Sequence, residues 1–305
     1  VTDHVEITIV MATYNGEAHL REQLDSLIGQ TYPYWRLLVH DDGSTDRTLT
    51  IIDKYMRQDA RIALLDDGIT GLGATRNFLH LLDHVNTDLC MFCDQDDIWL
   101  RDKVAKMVET ISIDGGAAAA YANSYLYVGS QVVRQLSTRI HPTSLRSTLF
   151  LNSGMQGCAM IINRALLEKL KPFPETVAMH DHLLTLGAVV FGKLVYLDEV
   201  LTLYRQHESN VTGNQDLGLF QRILSFFVRS KPVISRTHYE ANRAFYNRYK
   251  DSLNASQQRL FQNYFRYAME ANLIQRLLIL LENKFTLGDK RGVLLVKTLL
   301  RRPVS

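Results

Sequence analysis

Over the first third of the chain, apolar residues fall in short runs closed by polar turns. Glu6-Ile7-Thr8-Ile9-Val10-Met11-Ala12 is β-branched and predicts a strand, ended by Thr13-Tyr14-Asn15-Gly16. Leu20, Leu24, Leu27 and Ile28 then recur at helical spacing on one face. Trp35 to His40 predicts a second strand, closed by Asp41-Asp42-Gly43-Ser44-Thr45-Asp46, and Thr48 to Gln58 a second helix. Arg61 to Leu65 predicts a third strand, and Gly71-Leu72-Gly73 opens a helix running to Leu82. Leu89 to Cys93 predicts a fourth strand, with Asp94-Gln95-Asp96-Asp97 at its carboxyl end. Strand, crossover helix and strand in this rhythm predict an α/β fold, Rossmann-like, with a mostly parallel central sheet flanked by helices. Ligands of such sheets bind beyond the carboxyl ends of the strands, so Thr13, Asp41 and Asp94 are expected to meet at one crevice.

From Gly115 to Tyr204 the pattern is mixed, with strands expected at Ala119 to Val128 and Lys193 to Leu203. Short helices are expected at Leu145 to Phe150 and Arg164 to Leu170. Beyond Asn214 the periodicity is helical throughout, in segments near Leu217–Val228, Tyr239–Lys250, Ser256–Leu281 and Asp289–Leu300. Charge changes at the same place. Residues 1–213 carry 18 Lys+Arg against 26 Asp+Glu, and residues 214–305 carry 16 against 6, giving the net +2. We therefore expect a catalytic domain over 1–213 and a basic, all-helical C-terminal extension over 214–305.

With 46% hydrophobic and 22% charged residues, the chain has globular composition, which excludes bulk disorder. Cys90, Cys93 and Cys158 cannot all pair with one another, and the single C-x-x-C lacks a second pair for a zinc ribbon; buried thiols in a reducing compartment are expected. Val5 to Ala12 is too short for a secretory leader and has no basic flank, and no apolar run reaches about eighteen residues. A cytoplasmic location is expected, with peripheral attachment to the inner face of the cell membrane through 214–305 as one reading of the basic helices. A solvated basic face is the other. The acidic first domain and the lack of a binding motif argue against nucleic acid.

Three carboxylates crowd into positions 94–97, where like charges raise one another's pKa unless a cation intervenes. A hard divalent ion such as Mg²⁺ or Mn²⁺ suits oxygen ligands shared with a substrate phosphate. Asp94 and Asp96 alternate along an extended strand end and are expected on one side of it. The same residues also suit a solvated turn, with Asp97 capping the next helix. Asp41 and Asp42 fit either a turn or an acceptor from a base or ribose, and Thr13, Tyr14 and Asn15 either a helix start or donors around that nucleoside. Gly71-x-Gly73 is a weak phosphate-loop signal, with Arg76 a candidate pyrophosphate contact. Asp181 opens an apolar helix, Leu183 to Val190, whose N-terminus is expected to hold it ionised.

Taken together, V-M-A-T-Y-N-G (10–16), H-D-D-G-S-T-D (40–46), D-Q-D-D-I-W (94–99), H-D-H (180–182) and Y-R-Q-H (204–207) resemble family 2 glycosyltransferases with the GT-A fold, over residues 5 to about 212. The pairing of D-Q-D-D-I-W with the segment from Leu197 to Gly213 looks most like bacterial rhamnosyltransferases of cell-wall, O-antigen and capsular polysaccharide synthesis. The resemblance implies a nucleotide-diphosphate sugar donor and a saccharide or lipid-linked oligosaccharide acceptor. It implies Asp94 and Asp96 at the diphosphate and at Mg²⁺ or Mn²⁺, Asp41 with Thr13 at the nucleoside, and His207 as a metal or diphosphate contact; Tyr14, Asn15, Asp42, Arg76 and Gln95 are expected among the donor contacts. It further implies Asp181 as the base of an inverting displacement, with dTDP-rhamnose as donor; a UDP-hexose is the alternative. Acceptor contacts are expected from Trp99, His180 and His182. The chain departs from the pattern at His182, where relatives commonly have an aromatic residue; an imidazole there could titrate near neutral pH. A nucleotidyltransferase would want a Gly-rich N-terminal loop followed by basic residues, and a non-catalytic carbohydrate-binding module would not need a base.

Overall fold

A computed structural model describes residues 5–111, 115–206, 232–288 and 290–304 of the chain. Strand β1 (Ile7–Thr13), helix α1 (Leu20–Ile28), β2 (Trp35–Asp41), α2 (Thr48–Gln58), β3 (Ile62–Leu64), α3 (Gly73–Asp83) and β4 (Leu89–Asp94) follow the expected alternation closely. After them come β5 (Ile98–Trp99), α4 (Lys103–Thr110), β6 (Ala117–Val128), β7 (Gln131–Leu136), α5 (Leu145–Thr148), β8 (Met160–Asn163), α6 (Arg164–Leu170), α7 (His180–Phe191) and β9 (Gly192–Gln206). The C-terminal helices are α8 (Arg236–Tyr249), α9 (Ala255–Met269), α10 (Leu273–Glu282) and α11 (Arg291–Leu300).

The chain forms two compact units. The first gathers Val1–Thr138, Met155–Lys171 and Phe191–Asn210; the second gathers Arg139–Gly154, Pro172–Val190 and Val211–Ser305. Asp181 therefore groups with the C-terminal helices, although it lies in the stretch 1–213 by sequence.

The sheet of the first unit runs β3-β2-β1-β4-β8-β6-β9-β5, with β7 on β6. Its β3-β2-β1-β4 half is parallel, as expected. The other half is mixed, since β8 is antiparallel to both β4 and β6, and β5 to β9. Hydrophobic pattern could not reveal β8: all four of its residues are buried, so nothing alternates.

Strand geometry explains how the parallel half is covered. Ile7, Ile9, Met11, Leu37, Val39, Leu89, Met91 and Cys93 share one core cluster with Leu20, Leu24 and Leu27 of α1 and Ile51, Ile52 and Tyr55 of α2. The alternate residues face α3, where Phe78 meets Phe92 edge-on at 6.0 Å. Each such aliphatic or aromatic side chain contributes roughly 1.5–3 kcal/mol on burial. Helices α1 and α2 thus cover one face and α3 the other. The order 3-2-1-4 then puts the topological switch point between β1 and β4, where a crevice opens at the carboxyl ends.

The second unit is organised by aromatic packing. Phe150 lies 5.4 Å from Tyr264, 4.9 Å from Tyr267 and 5.1 Å from Phe285. The sequence predicts one helix over Ser256–Leu281, but Asn272 divides it. Its side chain accepts from the amides of Ile274 (2.9 Å) and Gln275 (3.2 Å) and starts α10 afresh. Helix α10 buries Arg276, Ile279 and Leu280 and turns out Ile274 (68% exposed), Leu278 (45%) and Leu281 (59%). The expected helix at Leu217–Val228 lies outside the described residues.

Candidate functional site

Register aligns the polar strand ends. Thr13 sits beside Asp41, and Ala12 beside Asp94. Thr13 Oγ1 donates to Asp41 Oδ1 at 2.8 Å. Ser44 Oγ donates to the same oxygen at 2.6 Å, and the amides of Gly43 (3.2 Å) and Ser44 (2.7 Å) donate to the other. Asp41 thereby shapes its own turn, in which Gly43 has a φ of +92° that suits only glycine.

Asp42 reaches instead to α3, accepting from the amides of Leu72 and Gly73, each at 2.7 Å. Two amides of Gly71-x-Gly73 that a phosphate would need are taken by this carboxylate, so the segment is a helix start held by Asp42 and not a free phosphate loop. Arg76 is exposed on the first turn of α3.

Tyr14 and Gln95 form a reciprocal pair: the Tyr14 amide donates to Gln95 Oε1 and Gln95 Nε2 to the Tyr14 carbonyl, both at 3.0 Å. A side chain at Gly16 would put its Cβ 2.3 Å from Gln95 Oε1, so only glycine admits the pair. Asn15, at φ 46°, accepts from the Thr45 amide at 2.8 Å, and its own amide donates to Ser44 Oγ at 2.8 Å. The loops after β1, β2 and β4 are thus tied to one another, while the Tyr14 side chain stays outside (57% exposed).

Strand β4 stops at Asp94 and a turn begins at Gln95, so the expected strand alternation does not extend to Asp96. Asp94, Gln95 and Asp96 are half-buried, whereas Asp97 is wholly buried. Asp97 does not cap the next helix; it accepts from the Arg205 amide of β9 at 3.0 Å. Arg205 also donates through Nε to the Asp96 carbonyl at 2.6 Å and pairs with Glu22. Burial, and then the neighbouring Asp96 charge, push Asp97 up to about 7. Ligand atoms of Asp94, Asp97 and Cys158 lie within 4.8 Å of one another. Burial pushes the Cys158 thiol well up. Mutually repelling, part-desolvated carboxylates are what a hard divalent cation relieves, and the residues fit one. All three cysteines are buried and free.

Beneath this loop lies Lys103, a residue that pattern reading passes over. It is wholly buried, its Nζ donates to the Cys158 carbonyl and to Thr202 Oγ1 (2.7 Å), and it stands 3.7 Å from the centre of the Trp99 ring. Burial lowers the Lys103 ammonium to about 8. The available signal was helical phase, since Lys103 is four residues before buried Met107 and shares its face. Trp99 itself belongs to the core cluster.

In the second unit, Asp181 stands in the first turn of α7. A Cβ on Gly154 would come within 2.2 Å of the Asp181 carbonyl carbon, so only glycine lets that loop lie on the helix start. The carboxyl is not held low, as its helix position suggests. Burial pushes it up to about 7, offset only in part by backbone hydrogen bonds from His182 and Gly154. His182 does not titrate near neutral pH either: burial, then the neighbouring His238, lower it to about 3. Its ring meets His238 edge-on at 5.0 Å. His180 is also buried and lowered to about 3 by burial. His207 lies outside the described residues.

Comparison with known proteins matches residues 8–171 to the model of Glycosyl transferase family 2. The dTDP-rhamnosyl transferase RfbG of Shigella flexneri is 30% identical over 215 residues, 67% of this chain and 73% of that protein. The UDP-Glc:alpha-D-GlcNAc-diphosphoundecaprenol beta-1,3-glucosyltransferase WfgD of Escherichia coli is 25% identical over 79% of this chain and 92% of that protein. Among solved structures, S. aureus TarS 1-349 in complex with UDP-GlcNAc superposes with a TM-score of 0.59 at 18% identity, covering 91% of this chain and 80% of that one. The mannosyltransferase PcManGT from Pyrobaculum calidifontis, in complex with GDP-Man and Mn²⁺, gives 0.54 at 16% identity, covering 98% and 87%. The fold is GT-A, followed by C-terminal helices.

Proposed function

Because the chain belongs to glycosyl transferase family 2, we propose that it transfers L-rhamnose from dTDP-rhamnose to a growing, lipid-linked cell-surface polysaccharide, with inversion. The observation that carries this reading is the meeting of Thr13, Asp41 and Asp94 at the switch point of the sheet. Thr13 and Asp41 bind the nucleoside, with Tyr14, Asn15 and Gln95 holding the loops around it and Asp42 fixing the start of α3. Asp94 and Asp96, with His207, would hold Mg²⁺ or Mn²⁺, which when bound neutralises charge on the departing diphosphate. Asp181 takes the proton of the attacking hydroxyl. A carboxyl poised near 7 is a stronger base than an ordinary carboxylate and is still ionised in good part at neutral pH.

The rhamnose assignment draws on the name of the Shigella relative, and a UDP-hexose donor is the alternative that the Escherichia coli relative favours. Turnover of a panel of nucleotide sugars separates them. dTDP-rhamnose consumed in preference to UDP-glucose and UDP-galactose supports the first; preference for a UDP-hexose replaces it with the second.

The same proposal includes docking to an anionic membrane, where a lipid-linked acceptor is presented. It is supported by the outward Ile274, Leu278 and Leu281 of α10 and Val296 and Leu299 of α11, in a segment that also exposes Lys290, Arg291 and Arg302. Among the described residues, no helix is long and apolar enough to cross a membrane. Sedimentation with phosphatidylglycerol vesicles over a salt series tests the docking, and no binding at low salt removes it.

A further inference from the structure

On the α3 side of the sheet, His40, Asp67 and His80 bring their ligand atoms within 4.8 Å of one another. His40 is the penultimate residue of β2 and is buried (1% exposed), Asp67 lies in the β3–α3 loop, and His80 is on α3. The hydrogen-bond network assigns the His40 tautomer. Asn77 Nδ2 donates to the His40 carbonyl at 3.2 Å, which fixes the amide and leaves Asn77 Oδ1 to accept from His40 Nδ1 at 2.8 Å. With its Nδ1 proton donated to Asn77, His40 directs Nε2 at Asp67 Oδ1, 3.4 Å away, and a cation fits between them, either a proton shared as an ion pair or a metal ion.

The dimensions suit a metal ion. Two ligand atoms on a tetrahedral zinc, each at about 2.0–2.2 Å, stand roughly 3.3–3.6 Å apart, a range that includes the 3.4 Å between His40 Nε2 and Asp67 Oδ1. Asn77 supplies the hydrogen bond to the second ring nitrogen that orients a ligating histidine. His80 Nε2 meets Asp67 Oδ2 at 2.6 Å, a hydrogen bond that coordination would replace. His80 keeps 19% of its side chain in solvent, which gives an ion a way in and a water a fourth position. The amide of Ile69 donates to Asp67 Oδ1 at 3.0 Å and sets the carboxylate in place. We propose that His40, Asp67 and His80 form a binding site for a borderline divalent cation of the zinc class, separate from the carboxylate site at Asp94 and Asp96. Two imidazoles and one carboxylate favour zinc over the magnesium or manganese that an all-oxygen site takes. A bound ion would clamp the β3–α3 loop between β2 and α3, behind the amides that Asp42 holds.

Calorimetry of the chelator-treated full chain with Zn²⁺, in saturating Mg²⁺ so that the carboxylate site is filled, tests the site. One equivalent is expected to bind, weakened by at least about tenfold in Asp67→Asn and in His80→Ala. Affinity unchanged in Asp67→Asn overturns the proposal even if His80→Ala lowers it, because the ion would then sit between His80 and the exposed His84 at the end of α3, their ring centres 5.1 Å apart. Should Asp67→Asn fail to fold, the wild-type chain decides alone: Zn²⁺ must shift the ¹⁵N resonance of His40 Nε2. An unmoved resonance, or no binding at about 100 µM Zn²⁺, overturns it as well.

Discussion

The parallel half of the sheet and helix α10 treat their apolar residues in opposite ways. In β1, β2 and β4 the apolar positions are inside, covered by α1 and α2 on one face and by α3 on the other. In α10 much of the apolar stripe is outside, and the buried side includes Arg276, whose Nη1 donates to the Arg301 carbonyl at 3.1 Å and whose guanidinium lies 5.1 Å from the Tyr267 ring centre. Among the described residues, pattern therefore predicts burial only where other elements cover it, and the outward face of α10 is the one proposed above to meet anionic lipid.

Four experiments test the proposed roles and sharpen this contrast. The largest effect is expected at the base: Asp181→Asn should lower transfer by roughly 10²–10⁴-fold while calorimetry still detects donor binding; near-normal turnover would remove the assignment. Asp96→Ala should abolish the response of donor affinity to Mn²⁺, with the residual affinity the same in chelator; a retained Mn²⁺ response contradicts the metal site. Stability should distinguish the two kinds of apolar position directly. Leu24→Ala in the sheet core should cost about 2–5 kcal/mol in urea unfolding, and Ile274→Ser on α10 no more than about 0.5 kcal/mol while reducing vesicle binding. Equal costs would break the contrast.

The fourth experiment concerns pH. Asp181 must be ionised to accept a proton, so kcat/KM should fall about tenfold per pH unit below its value of about 7 and level off above it. The same raised carboxyl favours the protonated folded state. Its stability contribution is complete below the ordinary carboxylate range, near pH 4, and is lost as pH rises through about 7. Asp181→Asn should flatten that decline in a urea series, and an unchanged slope would assign the titration elsewhere.

How much of this was legible in sequence depends on whether a residue's role follows from its neighbours in the chain. The alternation through β4 was readable because β-branched runs and helical spacing are local, and with it the meeting of Thr13, Asp41 and Asp94. Strand β8 was hidden because uniform burial erases periodicity, and the break at Asn272 because the cap competes with an unbroken helical spacing. The burial of Lys103 had a signal in helical phase with Met107, but the partners of Asp97 and Lys103, Arg205 and Thr202, lie a long way off in sequence and could not be read. In sequence a strand-end carboxylate such as Asp42 looks alike whether it meets a ribose or, as here, the amides of α3. Asp181 shows the same limit from the other side. Its place at a helix start was plain, but the burial that overrides the helix dipole was not.

The central claim is that a nucleotide-sugar donor sits at the carboxyl ends of β1, β2 and β4. A crystal structure of the chain with dTDP-rhamnose and Mn²⁺ tests it most directly. The nucleoside is expected against Thr13 and Asp41 and the diphosphate and metal at Asp94 and Asp96; nucleotide density anywhere else, with those four side chains untouched, would contradict the assignment.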